Sequence, residues 1–260
     1  MSFSPLILGH RGASALAPEN TLAAFSCAIS DGADGIEFDV RLARDGAAVV
    51  IHDASLKRTG MIDRAVADLT AAELCQVDVG RWFAERTLNP GESFSGERLP
   101  TLAQVFELFS SIGGLLYVEM KCRPEDGEAL AAEVVRLTRE SKMVDRVVVE
   151  SFEHSAIAAV KNIDSGIRTA ALFEPKLTRP ISTVRRLKMV DAALAVAADE
   201  IALHHTLAAE RVVEKARLSV LEVVIWTVED PTWIRRAREL DIKGLISNDP
   251  GLLVRHRNQP

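Results

Sequence analysis

No stretch of this sequence approaches the roughly 20 consecutive apolar residues that a membrane-spanning helix requires. The N-terminal segment MSFSPLILGHRG lacks a basic leading region, and its apolar run extends only from Pro5 to Leu8. It reads as a first strand and not as a signal peptide. Cysteine is scarce: Cys27, Cys75 and Cys122 are odd in number and widely spaced. That pattern argues against a disulfide framework and fits reduced thiols in a cytosol-like compartment. Cationic runs are missing too. The 31 Lys and Arg are interspersed with 37 Asp and Glu, for a formal net charge of −6. A nucleic acid is therefore not an expected partner, whereas a small anionic substrate is, provided local cations receive it. There is no glycine-rich phosphate loop, and His10-Arg11-Gly12-Ala13-Ser14 has the wrong glycine spacing for a dinucleotide fingerprint. Internal repeats and low-complexity linkers are absent. These features predict a cytoplasmic protein without stable membrane insertion, and leave open a homo-oligomer.

What is present is alternation. Hydrophobic residues make up 48% of the 260 positions, enough for one large core. Short apolar runs at Leu6–Gly9, Gly35–Arg41, Leu115–Lys121, Arg146–Ser151, Arg168–Phe173, Ala193–Val196 (the weakest), Glu222–Val228 and Gly244–Ser247 read as strands. Ala48–Ile51 extends the second unit after an Asp45-Gly46 turn. Helical periodicity falls between them, at Thr21–Asp31, Thr101–Ile112, Gly127–Lys142, Ser155–Ile163, from Pro180, Leu207–Ala216 and Thr232–Leu240. Asn20 or Thr21 would cap the first helix and Gly32 would stop it. Eight strand–helix units fit an α/β fold of the TIM-type (β/α)8 barrel class, which takes about 250 residues as a single domain. Residues 54–98, with the turn-rich Asn89-Pro90-Gly91-Glu92-Ser93, interrupt the rhythm and read as a small insertion after the second strand within a domain spanning 1–260.

In such a barrel, chemistry sits at the C-terminal ends of the strands. Four places there carry polar groups: His10-Arg11-Gly12, Glu37 with Asp39, His52-Asp53, and Glu119 with Lys121. Residues two apart on a strand share a face, so Glu37, Asp39 and Glu119 can converge. Three carboxylates without a nearby thiol suit one hard divalent cation, Mg²⁺ or Ca²⁺. The competing reading is ion pairing of Glu37 with Arg41 and of Glu119 with Lys121. His10 and His52 follow adjacent strands and titrate near neutrality, so one can serve as acid and the other as base. Arg11 and Lys121 supply the cations a phosphate requires. The other histidines, His154, His204, His205 and His256, receive no role, and His204-His205 is read as surface. Cys122 is read as a packed thiol.

These motifs resemble the glycerophosphodiester phosphodiesterase family. The resemblance runs through HRGASALAPENTLAAF, GADGIEFDVRLARDGAAVVIHD, LPTL, VEMK, SF, WTV and SNDP, in order, to about Pro250. It implies a (β/α)8 barrel, one divalent cation, and hydrolysis of small glycerophosphodiesters to glycerol 3-phosphate and an alcohol, within glycerol and lipid metabolism. It also implies acid–base roles for His10 and His52, metal ligation by Glu37, Asp39 and Glu119, and phosphate contacts from Arg11 and Lys121. Glu19 and Asn20 match a polar pair supporting the metal or substrate. Phe152 and Trp226 match aromatics near the pocket mouth, where barrel packing is the alternative. Two departures stand out. Asn248 replaces the Asp of the usual Thr-Asp-x-Pro, and Glu229 replaces the Asn of the usual Trp-Thr-Val-Asn. Neither is expected to touch the core of the site; both bear on its supporting contacts and on the head-group preference. Two other functions remain open: phospholipase D-like hydrolysis of lysophospholipids, with Trp82, Phe83 and Phe94 lining an apolar entrance, and non-catalytic binding of phosphate esters.

Overall fold

The computed structural model describes residues 4–86, 94–175 and 183–259. Its strands are β1 (Leu6–His10), β2 (Gly35–Leu42), β3 (Ala48–Val50), β4 (Leu115–Met120), β5 (Val147–Ser151), β6 (Arg168–Phe173), β7 (Glu200–His204), β8 (Glu222–Trp226) and β9 (Gly244–Ser247). All but β3 are parallel, in the order β1-β9-β8-β7-β6-β5-β4-β2, and pairing of β1 with β2 closes the ring. The eight-stranded barrel expected from the alternation is therefore present. β3 stands outside it, antiparallel to β2 across the turn at Gly46, which has a φ of +81°.

The two-residue period of the strands separates two cores. One set of side chains, including Leu8, Tyr117, Val148, Ala170, Ala202, Val224 and Ile246, fills the barrel. The intervening set, including Ile7, Ile36, Phe38, Val149, Leu203 and Leu245, faces outward against the helices. Below the inner layer the strand starts carry charge. Glu200 accepts from Tyr117 Oη at 2.9 Å and pairs with Lys243 Nζ at 2.7 Å and Arg168 at 2.8 Å. This satisfied network closes the lower end, leaving the C-terminal strand ends for a site.

The helices are α1 (Leu22–Ser30), α2 (Ala71–Leu74), α3 (Arg81–Arg86), α4 (Leu102–Ile112), α5 (Gly127–Glu140), α6 (His154–Ile163), α7 (Thr183–Ala195), α8 (Glu210–Leu218), α9 (Thr232–Leu240) and α10 (Pro250–Arg257). Except for α2 and α3, each follows a barrel unit. Thr21 is the cap of α1, its Oγ1 accepting from Ala24 N at 3.2 Å. Thr101 and Gln104 form a reciprocal capping box on α4. The turn from β1 into α1 is tight: a Cβ on Gly12, where φ is +83°, would stand 2.6 Å from the Ala24 carbonyl carbon. Only glycine fits that approach.

The weak strand expected at Ala193–Val196 is not a strand. Ala193 is a buried residue at the end of α7, and the strand lies later, at Glu200–His204. A short apolar run does not distinguish a helix face from a strand. The charged Glu200 disguised the real strand, because its partners come from other strands. The helix placed from Pro180 begins, among the described residues, at Thr183, and that placed from Leu207 begins at Glu210 after a 3-10 turn. Asn89–Ser93 lies outside the described residues. The insertion around it carries α2, α3 and its own apolar cluster, including Leu56, Val66, Leu74 and Val77. No helix among the described residues is long and apolar enough to cross a membrane.

Candidate active site

A cavity of about 320 Å³ opens at the C-terminal ends of the strands, and His10, Arg11, Glu37, His52, Glu119 and Lys121 lie on its wall. β2 and β4 run in register, Asp39 opposite Glu119, and His10 on β1 lies opposite Glu37. Glu37, Asp39 and Glu119 are all buried, and each offers an oxygen within 4.8 Å of the others. An all-oxygen set of this kind fits a hard divalent cation. Burial, then Asp39 and Glu119, push the Glu37 carboxyl well above the usual range. Burial and Asp39 push Glu119 up to about 8. Burial also opposes ionisation of Asp39, but Arg11 and Lys121 outweigh it and hold that carboxyl below its ordinary value.

The ion-pair alternative is half right. Lys121 Nζ lies 2.7 Å from Glu119 Oε1 and 3.3 Å from Asp39 Oδ1. Glu37 does not pair with Arg41, whose Nε donates to the His52 carbonyl at 2.8 Å and whose Nη1 donates to the Lys121 carbonyl at 3.2 Å. Arg41 thus ties the backbone of two candidate site residues together. Glu37 Oε2 instead accepts from the Arg11 backbone N–H at 3.1 Å.

Asn20 is fully engaged with Asp39. Its Nδ2 donates to Asp39 Oδ2 at 2.8 Å, and its Oδ1 accepts from the Asp39 N–H at 3.2 Å. Arg11 Nε lies 3.2 Å from the same Asp39 oxygen. Arg11 and Asn20 both have left-handed backbones, with φ of +55° and +59°. Such strain is tolerated where surrounding contacts hold it. Glu19 accepts from Arg11 Nη1 at 2.8 Å and from Arg58 Nη1 at 2.7 Å. Arg58 continues to Asp53 at 2.7 Å, and Asp53 accepts from His52 Nδ1 at 2.7 Å. A chain of charge therefore joins the Arg11 region to His52. The sequence places Asp53 beside His52 without assigning it a role, and gives no sign of Arg58. A histidine followed by an acid was the available signal for Asp53, but Arg58 sits in the insertion with no motif around it.

The two departures meet behind His10, among the contacts that support it. Asn248 Oδ1 lies 2.6 Å from His10 Nδ1, and Asn248 Nδ2 donates to Glu229 Oε1 at 2.8 Å. Because Glu229 accepts from the amide nitrogen, the amide oxygen faces the ring, and His10 Nδ1 carries the hydrogen. Ring closure brings β9 beside β1, which is how a residue 238 positions away reaches His10. Burial, then Arg11, bring the His10 ring down to about 4, so it is neutral near pH 7. Burial lowers His52 as well, with Asp39 opposing.

Phe152 and Trp226 line the cavity with their rings edge to face, centroids 5.6 Å apart. His204 is not a bare surface residue: its ring packs edge-on against Trp226 at 5.2 Å. His205 Nδ1 donates to the Thr227 carbonyl at 2.9 Å. Trp82, Phe83 and Phe94 contact one another in T-shaped pairs within the insertion, and none lines the cavity. The apolar entrance considered for lysophospholipids is therefore not built from them. A buried acid that the sequence reading did not single out, Glu150, is also on the lining.

Comparison with known proteins gives the family. Residues 10–252 match the Glycerophosphoryl diester phosphodiesterase family. A glycerophosphodiester phosphodiesterase of Caldanaerobacter subterraneus subsp. tengcongensis is 32% identical over 251 residues, covering 96% of each chain. Among solved structures, a glycerophosphodiester phosphodiesterase from Agrobacterium tumefaciens superposes with a TM-score of 0.78 at 27% identity, covering 96% of this chain and 99% of that one. An Oleispira antarctica phosphodiesterase, solved with the product sn-glycerol-3-phosphate, shares the fold with a TM-score of 0.85 at 24% identity, covering 99% and 98%. The chain belongs to the glycerophosphoryl diester phosphodiesterase family.

Proposed function

We propose that this protein hydrolyses small glycerophosphodiesters to glycerol 3-phosphate and an alcohol by metal-dependent acid–base catalysis. The observation that carries this reading is one cavity lined by His10, His52, Arg11, Lys121, Glu37 and Glu119, with the buried Asp39 within 4.8 Å of both carboxylates. Glu37, Asp39 and Glu119 would hold one divalent cation, Mg²⁺ or Ca²⁺, which when bound supplies positive charge against the phosphate oxygens. Arg11 and Lys121 bind and orient the phosphodiester. His10, neutral and with its Nδ1–H committed to Asn248, presents a free Nε2 lone pair and is the base. It takes the proton of the attacking hydroxyl, from water or from the substrate's own glycerol. His52 gives its Nδ1–H to the carboxylate of Asp53, which with Asp39 works against the burial that lowers the ring and favours its protonated form, so His52 is assigned as the acid that protonates the departing alkoxide.

Glycerol 3-phosphate release, assayed over a panel of glycerophosphodiesters with lysophosphatidylcholine alongside, tests the reading. Turnover of the soluble diesters is expected. Activity on the lysophospholipid alone would replace this reading with the phospholipase D-like one, and binding of diesters without turnover would replace it with the non-catalytic one. Asn248 and Glu229 act as positioning residues for His10. Asn248→Ala should lower kcat by about ten- to a hundredfold with little change in KM. A variant with wild-type kcat would show that His10 needs no such support.

A further inference from the structure

The chemistry above leaves Glu150 unused. It lies on β5 opposite Glu119, faces the barrel interior and is 1% exposed. Its Oε2 has no hydrogen-bond partner in the protein. By contrast, the buried Glu200 at the lower end is engaged by Tyr117, Arg168 and Lys243. A buried oxygen without a donor is costly, and an apolar side chain at this position would carry no such cost. Glu150 lines the same cavity as the histidines, where it and its deeply buried neighbours Leu172 and Ile246 form the floor.

We propose that Glu150 determines specificity for the glycerol arm of the substrate, a carboxyl oxygen accepting a hydrogen bond from the terminal glycerol hydroxyl. The proposal rests on the diesterase reading above. With Glu37 and Glu119 committed to the cation and the phosphate held between Arg11 and Lys121, Glu150 is the buried acid of the lining left over, and Leu172 and Ile246 line the cavity with it. Apolar side chains beside an acceptor without a donor suit a short polyol: the carbons lie on the leucine and isoleucine, and the hydroxyl on the acid.

The test compares glycerophosphocholine with 2-hydroxypropyl phosphocholine, which lacks only the terminal hydroxyl, using the full chain, Glu150→Ala and Glu150→Gln with Mg²⁺. The wild-type chain should prefer the glycerol diester by about tenfold or more in kcat/KM, the scale of a lost hydrogen bond at a buried acceptor. In Glu150→Ala that ratio should fall toward one through loss on the glycerol diester alone. Glu150→Gln, whose amide oxygen still accepts, should keep part of the preference. Both variants should unfold at or above the wild-type temperature, since an unpaired buried carboxyl has been removed. An unchanged ratio in Glu150→Ala, equal slowing of both substrates, or a lowered unfolding temperature would overturn the assignment. Failure of the wild-type chain to hydrolyse any glycerophosphodiester would instead overturn the diesterase reading, and this assignment with it.

Discussion

His52→Ala and His10→Ala each lower kcat by about two to four orders of magnitude, the range expected when a positioned acid or base is removed, while unfolding temperature changes little. The two losses have different origins. His52 is partly exposed, and its ring contacts the Asp53 carboxylate, which Arg58 also holds. Truncation leaves Asp53 paired, so the loss is confined to the proton that would have reached the leaving group. An alcohol with a low pKa needs less protonation, so a nitrophenyl diester should recover most of the rate in His52→Ala and little in His10→Ala. His10 is more enclosed, and its removal exposes the Asn248 amide that was spent on orienting it. The acid and base assignments are wrong if the activated leaving group rescues His10→Ala instead, and the whole pair is wrong if either variant turns over at the wild-type rate.

Removing divalent cations with excess chelator should abolish turnover, and returning Mg²⁺ or Ca²⁺ should restore it. The charges on the wall explain why. Three carboxylates and two cations share one buried space, and in the cation-free protein burial and mutual repulsion keep Glu37 and Glu119 protonated upward of their usual range. Glu119, with a pKa raised to about 8, carries a proton at pH 7 that a bound cation displaces. Cation binding should therefore release protons near neutrality. Affinity should rise with pH and level off as Glu119 ionises unaided. Calorimetry in buffers of different ionisation enthalpy measures the release. Undiminished turnover in chelator would remove the cation from the reaction. Binding without proton release would place it on other ligands.

Much of this site was readable without a structure because it obeys local periodicity. Glu37 and Asp39, two apart on one strand, had to share a face, and Glu119 and Lys121 likewise. Once the ring put β2 beside β4, the carboxylates met. Polar groups placed just after apolar runs marked the catalytic end of the barrel. The misplaced strand at Ala193–Val196 failed for the opposite reason. Glu200 broke the apolar pattern of β7, and its burial makes sense only beside Arg168 and Lys243 from neighbouring strands.

The sequence by itself determined the repeating unit, the end of the barrel that does chemistry, and the pairing of His10 and His52 with three carboxylates. Those follow from side-chain period and from the order of apolar and polar segments along the chain. Only the tertiary structure decided what orients each histidine and what remains unpaired. Asn248 and Glu229 looked like remote departures, yet ring closure sets β9 against β1 and puts the Asn248 amide on His10. Arg58 reaches Glu19 and Asp53 only because the insertion folds back over the barrel mouth. Glu150 stands near the end of an apolar strand with no motif to mark it. The closed barrel buries it on the floor of the cavity without a donor, and burial there is a property of all eight strands together.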